Sequence, residues 1–179
     1  MANKILTVEG TQLVWANAGD YGNSPIADTE QIDLTSLGVG LAREGDKGDL
    51  TALMARRYAV TMRIEHITDP VVGETVDLYW GPSLAAAAGT ANPGNLTGAD
   101  AAYAGSAGST LAQTLPQLQF LGSLICTLDN EPVVQQTTFV VELPTRYGIP
   151  VVVNNTSDIF EDDAVEMSIT FTPLEDEVQ

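Results

Sequence analysis

The chain has 179 residues, of which 44% are hydrophobic and 17% are charged, so it is long and apolar enough to bury a core. Its 24 acidic residues against 7 basic ones give a net charge of −17, which disfavours a general affinity for nucleic acid or anionic membranes. The single cysteine, Cys126, excludes an intrachain disulfide and a metal site built from cysteines.

The first 55 residues differ in composition from the rest of the chain. They are rich in turn-forming and acidic residues, and short apolar runs at residues 11–15 and 32–37 predict strands. We interpret residues 1–55 as an extended N-terminal arm that carries edge strands, and residues 56–179 as the folded domain.

Apolar and polar side chains alternate over residues 56–67, which predicts a strand with one face toward the core. The apolar positions are Tyr58, Val60, Met62 and Ile64. Residues 74–80 predict a second strand that ends at Gly81. Because the connection between them is short and contains turn formers, we expect the two strands to pair antiparallel.

Small residues dominate the segment 81–110, where Asp100 is the only charged residue. The segment is too long for a hairpin turn, which predicts a functional loop or a surface insertion. A short helical turn is expected at residues 99–104. Because small side chains let another backbone approach closely, we expect this loop to lie at a subunit interface.

The remaining sequence returns to the pattern of strands. Predicted strands cover residues 116–128, with a bend or bulge at Gly122, and residues 133–143, 149–153 and 164–172. On the first of these, the alternation places Leu118, Phe120, Leu124 and Cys126 on one side. On the last, it directs Val165, Met167, Ile169 and Phe171 inward and Glu166, Ser168, Thr170 and Thr172 outward. About eight strands are expected in all, with no crossover helices between them, so the sheets should be antiparallel. The predicted fold is an all-β, antiparallel β-sandwich that is jelly-roll-like, with the extended arm at its N-terminus.

Little in the sequence points to catalysis. His66 is the only histidine, and it follows the apolar face of the 56–67 strand. This position indicates a structural side chain, whereas a catalytic triad needs a histidine held between a serine and an acid. We therefore expect that the protein is not an enzyme and that it uses no cofactor.

A cluster of carboxylates precedes the last predicted strand. Its members are Asp158, Glu161, Asp162 and Asp163. We interpret the cluster as a solvated acidic loop. Carboxylate oxygens also bind calcium, which takes about 6–8 oxygen ligands, so a calcium site is the alternative interpretation, although no EF-hand pattern is present.

Five of the seven basic residues fall between positions 43 and 63. They are Arg43, Lys47, Arg56, Arg57 and Arg63. This clustering predicts a locally neutral or positive face on an otherwise acidic protein, suited to docking on a capsid or neighbouring subunit with an acidic surface. The alternative is that these residues only form scattered ion pairs with nearby carboxylates.

The middle and end of the chain resemble a group of structural proteins from tailed-phage virions. The likeness is carried by DLYWGPS at residues 77–83, AGTANPG at 88–94, TGADAAY at 97–103, QLQFLGS at 117–123, RYG at 146–148 and EDEVQ at 175–179. It covers residues 57–179 in outline and does not extend to the first 55.

This resemblance implies a capsid decoration, or cement, protein: a jelly-roll homotrimer on the capsid surface that binds and stabilises the shell of major capsid protein. The implied partners are the major capsid protein and further copies of this chain, with neither nucleic acid nor membrane. One alternative is a tail-tube, connector or fibre-base protein of the virion. Another is a carbohydrate-binding surface module, for which Trp15, Trp80 and a few tyrosines are the available aromatic residues.

The N-terminal residues show no signal-peptide pattern, and no apolar stretch reaches the roughly 20 residues needed to cross a bilayer. We therefore expect the protein to be made and assembled in the host cytoplasm. Its final location would then be the capsid surface of the virion.

Overall fold

The computed structural model describes residues 5–17, 30–50, 55, 57–127, 134–162 and 167–178. In this part of the chain the strands are β1 (Ile5–Glu9), β2 (Leu13–Ala16), β3 (Glu30–Gln31), β4 (Ala42–Glu44), β5 (Gly48–Asp49), β6 (Arg57–Ile64), β7 (Thr75–Ser83), β8 (Ala101–Tyr103), β9 (Gln119–Ile125), β10 (Gln135–Glu142), β11 (Tyr147–Asn155) and β12 (Ser168–Val178). One α-helical turn, α1 (Leu111–Thr114), and short 3₁₀ turns at Pro93–Asn95 and Leu115–Gln117 complete the described elements.

The strands form two six-stranded sheets. The first, which we call the β6 sheet, has the order β10-β6-β12-β2-β3, and β1 also pairs with β12. The second, which we call the β11 sheet, has the order β8-β4-β11-β7-β9, and β5 also pairs with β11. The sheets pack face to face around a common hydrophobic core, which confirms the predicted all-β sandwich.

The pairing of the main strands is nested, as in a jelly roll. β2 pairs with β12, β4 with β11, β6 with β10 and β7 with β9, and all four pairs are antiparallel. Successive pairs alternate between the two sheets. This arrangement results when one long antiparallel hairpin rolls up into two layers, which is the jelly-roll topology.

The alternation predicted for residues 56–67 is confirmed over β6. Its apolar side chains are buried and its other side chains are half-buried. The predicted pairing of this strand with the next one is wrong, because β7 lies in the opposite sheet and pairs with β11 and β9. β7 also continues through Gly81 and Pro82 to Ser83.

Three aromatic side chains occupy the centre of the sandwich. Trp15 on β2 and Phe171 on β12 come from the β6 sheet, and Trp80 on β7 comes from the β11 sheet. Their ring centroids lie 5.8 Å apart for Trp15 and Trp80, 5.0 Å for Trp15 and Phe171, and 5.1 Å for Trp80 and Phe171. Such edge-on and tilted contacts stabilise a core beyond the burial of apolar area alone.

Two glycines make room for the tryptophans. Gly48 and Gly148 are directly paired in the β11 sheet. A Cβ atom on Gly48 would lie 2.3 Å from the Trp15 ring, and one on Gly148 would lie 2.2 Å from the Trp80 ring. The backbone of this sheet therefore contacts the two indoles directly, at a place where any larger residue would clash.

The N-terminal segment is part of the sandwich rather than an arm. Trp15, Ile32, Leu34, Leu37 and Leu50 are all buried in the main core. β2 pairs with β12, a strand that runs through the interior of its sheet, and β4 pairs in the same way with β11. The described part of residues 1–55 thus completes the jelly roll, because without it both sheets would lose strands and core side chains.

The small-residue segment and the residues that directly follow it form a second layer on the β11 sheet. Its side chains Leu96, Tyr103 and Leu118 pack with Ile149 and Val151, which face away from the main core. The predicted helical turn at residues 99–104 is wrong, because residues 101–103 form β8 and pair with β4. We call residues 84–118 the covering segment, since it shields an apolar sheet face that would otherwise meet water.

The bulge predicted near Gly122 is confirmed one residue away. The register of β9 shifts between Leu78 and Tyr79 of β7, so that Leu121 has no direct partner. Leu121 and Leu124 consequently point inward, while Phe120 is exposed. The expectation that Phe120 shares the buried face was wrong because the bulge changes the phase of the alternation.

A Gly148→Ala variant tests the contact between the glycine backbone and the Trp80 ring. We expect a loss of about 1–3 kcal/mol or more in the free energy of unfolding, because the new methyl group overpacks a rigid aromatic core. Urea denaturation followed by tryptophan fluorescence measures the change. Gly89→Ala is the matched control, since its Cβ would approach nothing closer than 4.0 Å, and equal losses in the two variants would contradict the explanation.

Candidate interaction surfaces

Lys47 fixes the start of the covering segment. Its ammonium group donates hydrogen bonds to the carbonyl oxygens of Ala85, Ala87 and Thr90, at 3.1, 2.7 and 2.8 Å. Its backbone N–H donates to the carbonyl of Gly98 at 3.1 Å. One cation therefore binds three carbonyl groups of a glycine- and alanine-rich stretch that has few side-chain contacts of its own.

Glu44 holds the next part of the same segment. Its buried carboxylate accepts hydrogen bonds from the backbone N–H of Thr97 at 2.9 Å, from the Thr97 hydroxyl at 3.0 Å and from the N–H of Gly98 at 3.4 Å. Burial raises the pKa of Glu44, and the hydrogen bonds from Thr97 and Gly98 oppose that rise. The carboxylate therefore has a structural role as an acceptor for loop N–H groups.

Arg43 and Asp100 form a two-pronged ion pair at the base of β8. The Nε and Nη2 atoms of Arg43 each lie 2.7 Å from a carboxylate oxygen of Asp100. The hydrogen bond from Arg43 to Asp100 raises the pKa of Arg43. Since the Asp100 carboxylate also accepts a hydrogen bond from the Asp33 N–H at 3.1 Å, the only charge of the predicted loop is fully engaged within the fold.

The structure does not bring the five predicted basic interface residues into one patch. Arg43 and Lys47 bind the covering segment, and Arg56 lies outside the described residues. Arg57 and Arg63 are half-buried on β6, six residues and therefore roughly 20 Å apart along the strand. A part for these residues in capsid binding stays a prediction, but two of them already have a structural role.

A Lys47→Met variant tests the anchoring role of Lys47. The methionine keeps most of the apolar length and removes all three donated hydrogen bonds. We expect amides of residues 84–98 to exchange with solvent about tenfold faster or more, because hydrogen bonds to a charged donor contribute about 1.5–3 kcal/mol. Hydrogen–deuterium exchange by mass spectrometry measures this.

Arg146→Met is the control for the Lys47 experiment. It also removes a basic residue, but the ion pair that Arg146 forms with Asp49 is exposed and involves no residue of the covering segment. The amides of β11 should remain protected in both variants. Unchanged exchange of residues 84–98 in Lys47→Met would refute the anchoring role.

Glu30 is the described carboxylate with the largest rise in pKa. Burial on β3, together with the charges of Asp46 and Asp49, raises the pKa of Glu30 from 4.5 to about 7. A carboxyl group whose pKa is higher in the folded state than in the unfolded state favours folding when it is protonated. Its contribution is complete below the unfolded pKa of 4.5 and is lost as the pH rises through about 7.

A Glu30→Gln variant tests this pH dependence. We expect the variant to be more stable than the wild type at pH 8, with the difference shrinking as the pH falls toward 5. Thermal unfolding at a series of pH values measures it. Glu9→Gln is the control, because it removes one negative charge at an exposed position on β1. An identical pH profile for the two variants would contradict the assignment of the pH dependence to Glu30.

Two carboxylates of the predicted acidic loop accept hydrogen bonds from nearby backbone N–H groups. Asp158 accepts hydrogen bonds from the N–H groups of Thr68 at 2.7 Å and Ile159 at 2.9 Å, and Glu161 accepts one from Asp162 at 2.9 Å. Among the described residues, no three histidine, cysteine or acidic side chains converge as metal ligands. Asp163 lies outside the described residues, so the calcium alternative stays a prediction.

His66 is a buried residue at the end of the sandwich where the acidic loop lies. Its ring stands edge-on to Phe160 at 5.2 Å between centroids, and the two backbones form an isolated β-bridge. The sequence correctly placed His66 in phase with the apolar face of β6, which continues inward at this position.

Exposed apolar side chains gather at this same end. The connections at residues 36–41, 65–74 and 156–162 meet here through backbone hydrogen bonds, such as those from Ile67 to Ile159 and from Gly40 to Asn154. We call these three connections the apolar end. They contain six of the ten large hydrophobic side chains that are exposed among the described residues: Val39, Leu41, Ile67, Val71, Val72 and Ile159.

A second surface follows the edge where β9 and β10 come together. Both strands are at the end of their sheets, and a groove of about 300 Å³ lies between them beside Leu124 and Gln135. Phe120, Ile125 and Val140 are exposed on these two strands. Exposed edge strands with apolar side chains are favoured sites for contacts with another chain.

Neither tryptophan is available as a platform for sugar binding. Trp15 and Trp80 are fully buried in the main core. The nitrogen of Trp15 donates a hydrogen bond to the carbonyl of Asp46 at 2.8 Å. The carbohydrate-binding alternative therefore loses both tryptophans as a sugar platform and stays a prediction for the tyrosines.

The protein is a jelly-roll β-sandwich with apolar side chains exposed at one end and along one edge. No protein-family model matches the chain, and no curated protein matches it significantly. In the part of the chain that the structure describes, no helix has the length and apolar character to span a membrane.

Proposed function

We propose that the protein is a structural component of a tailed-phage virion, a capsid decoration protein that binds the major capsid protein and stabilises the shell. The observation that carries this proposal is the gathering of exposed apolar side chains at one end and one edge of a sandwich in which the outer face of the β11 sheet is covered. Large exposed apolar patches on a soluble protein mark interaction sites.

The resemblance to phage virion proteins also supports the proposal, because most of the strings that carry it lie in one part of the fold. The string at residues 77–83 lies entirely in β7, and the string at 117–123 runs into β9. The strings at 88–94 and 97–103 lie in the covering segment and include Gly98, whose φ of +74° and contact with the Ala88 carbonyl suit glycine alone. These strings therefore concern the β11 sheet and its second layer, whereas the string at 175–179 begins in β12 of the β6 sheet.

A decoration protein needs adhesive area rather than reactive groups. Specific interfaces bury about 1,200–2,000 Å² in total, and permanent ones bury more. Two neighbouring surfaces, the apolar end and the β9–β10 edge, adjoin where β9 ends beside the start of β7, and together they allow one copy to contact the shell and further copies at once. Linked contacts of this kind strengthen binding far beyond that of each contact alone, which supports an oligomer, such as the homotrimer that the resemblance implies, as the unit that attaches.

The proposal is tested on purified particles of the phage that encodes the chain. Quantitative mass spectrometry of virion proteins gives the copy number relative to the major capsid protein, and electron cryo-microscopy gives the location. We expect hundreds of copies on the outer capsid surface, with threefold contacts between them. Tens of copies on the tail would favour a tail-tube, connector or fibre-base protein, and absence from the virion would refute a structural role.

A further inference from the structure

We propose that the apolar end is the surface that docks on the shell, and that the site it occupies there is an apolar patch flanked by lysine or arginine side chains. This inference rests on the proposed function and deepens it by assigning the partner surface. The observation behind it is the combination of exposed apolar side chains with unbalanced negative charge at one end of the sandwich.

The apolar side chains lie side by side along the end of the β11 sheet. Leu41 precedes β4, Ile159 follows β11, and Val71 and Val72 precede β7. These strands are neighbours in the order β4-β11-β7, so the row extends over two strand spacings, about 10 Å. Val71 and Val72 are 60% and 61% exposed, which is unusual for two consecutive valines outside a contact surface.

The polar residues around this row are acidic. The three connections of the apolar end contain Glu65, Asp69, Glu74, Asp158, Glu161 and Asp162, and no lysine or arginine. Of these carboxylates, Asp69 and Asp162 are exposed and Glu65 is buried, while the others are partly exposed. The exposed and partly exposed carboxylates around the apolar row, without a lysine or arginine in the same connections, are complementary to a partner with basic side chains around an apolar centre.

Hydrogen bonds hold the carboxylates at the rim. Glu74 accepts hydrogen bonds from the N–H and the hydroxyl of Ser157, at 2.8 and 2.9 Å, and these bonds lower its pKa. Asp158 is held by the N–H of Thr68. The negative groups are thus fixed in position next to the apolar row, and the rim is ready to bind without further ordering of these loops.

A second copy of the chain fits the apolar end poorly. Two apolar ends placed together would bring their acidic rims within a Debye length, about 8 Å at physiological salt, with no lysine or arginine in these connections to compensate. The strands β9 and β10 contain one carboxylate, Glu142, and are better suited to contacts between copies. The occupant of the apolar end is therefore a different protein surface.

The test uses the full-length protein and purified capsid shells that lack it. Val72→Asp places a carboxylate in the middle of the apolar row, and Ile159→Asp does the same from a different connection. Leu84→Asp is the matched control, since Leu84 is 84% exposed at the opposite end. We expect the first two variants to bind shells roughly tenfold more weakly or worse, and Leu84→Asp to bind like the wild type.

The acidic rim is tested separately with the double variant Glu161→Gln, Asp162→Asn. Its binding should be weaker than that of the wild type at low salt, and the difference should shrink at high salt. A salt-independent effect, or no effect, would remove the basic character of the partner from the proposal. Circular dichroism and thermal unfolding establish that every variant retains the fold.

The outcomes separate this inference from the proposed function. If the wild type binds shells and Val72→Asp and Ile159→Asp bind equally well, the apolar end is not the docking surface, whereas the proposed function stands. If the wild type does not bind shells at all, the proposed function itself fails. Sedimentation velocity covers the remaining case: loss of an oligomer in Val72→Asp would show that a second copy occupies this end, and would overturn the choice of partner.

Discussion

The packing of Trp15, Trp80 and Phe171 between the two sheets is the constraint on which the remaining structure depends. Within the β11 sheet the Trp80 ring lies against Gly148, and across the two sheets the Trp15 ring lies against Gly48, so the β11 sheet can approach the β6 sheet this closely only because Gly48 has no side chain. That contact positions β5 and the start of β11 over the core. It thereby places Lys47, the neighbour of Gly48, where it can bind the covering segment.

The covering segment turns a two-layered sandwich into a three-layered one on the side of the β11 sheet. β11 is apolar on both faces, and the second face is covered by Leu96, Tyr103 and Leu118. Few of the covering residues have long side chains, so polar anchors from Glu44 and Lys47 hold them in place. With its outer face covered in this way, the β11 sheet leaves apolar surface exposed mainly at an end and at an edge, which favours contacts made through loops and edge strands.

Much of the local structure could be predicted from the pattern of residues. The alternation in β6 correctly assigned its buried face, and the inward positions of Met167, Ile169 and Phe171 were correct as well. The outward assignment of Ser168, Thr170 and Thr172 was wrong, because these residues are buried too. A period of two shows which side chains share a face, but it does not show whether both faces are covered.

The sequence by itself determined the class of fold, because short alternating segments without crossover helices are typical of antiparallel sheets, and the short β2–β3 contact is the parallel exception among the described strands. The sequence also shows directly the positions of the glycines, the single histidine and the excess of acidic over basic residues. Only the tertiary structure decided that β6 and β7 lie in opposite sheets, that the N-terminal segment supplies Trp15 to the core, and that Arg43 and Lys47 bind the covering segment. These features depend on contacts between residues far apart in the chain, and strand partners and ion pairs of that kind leave no local pattern from which they could be predicted.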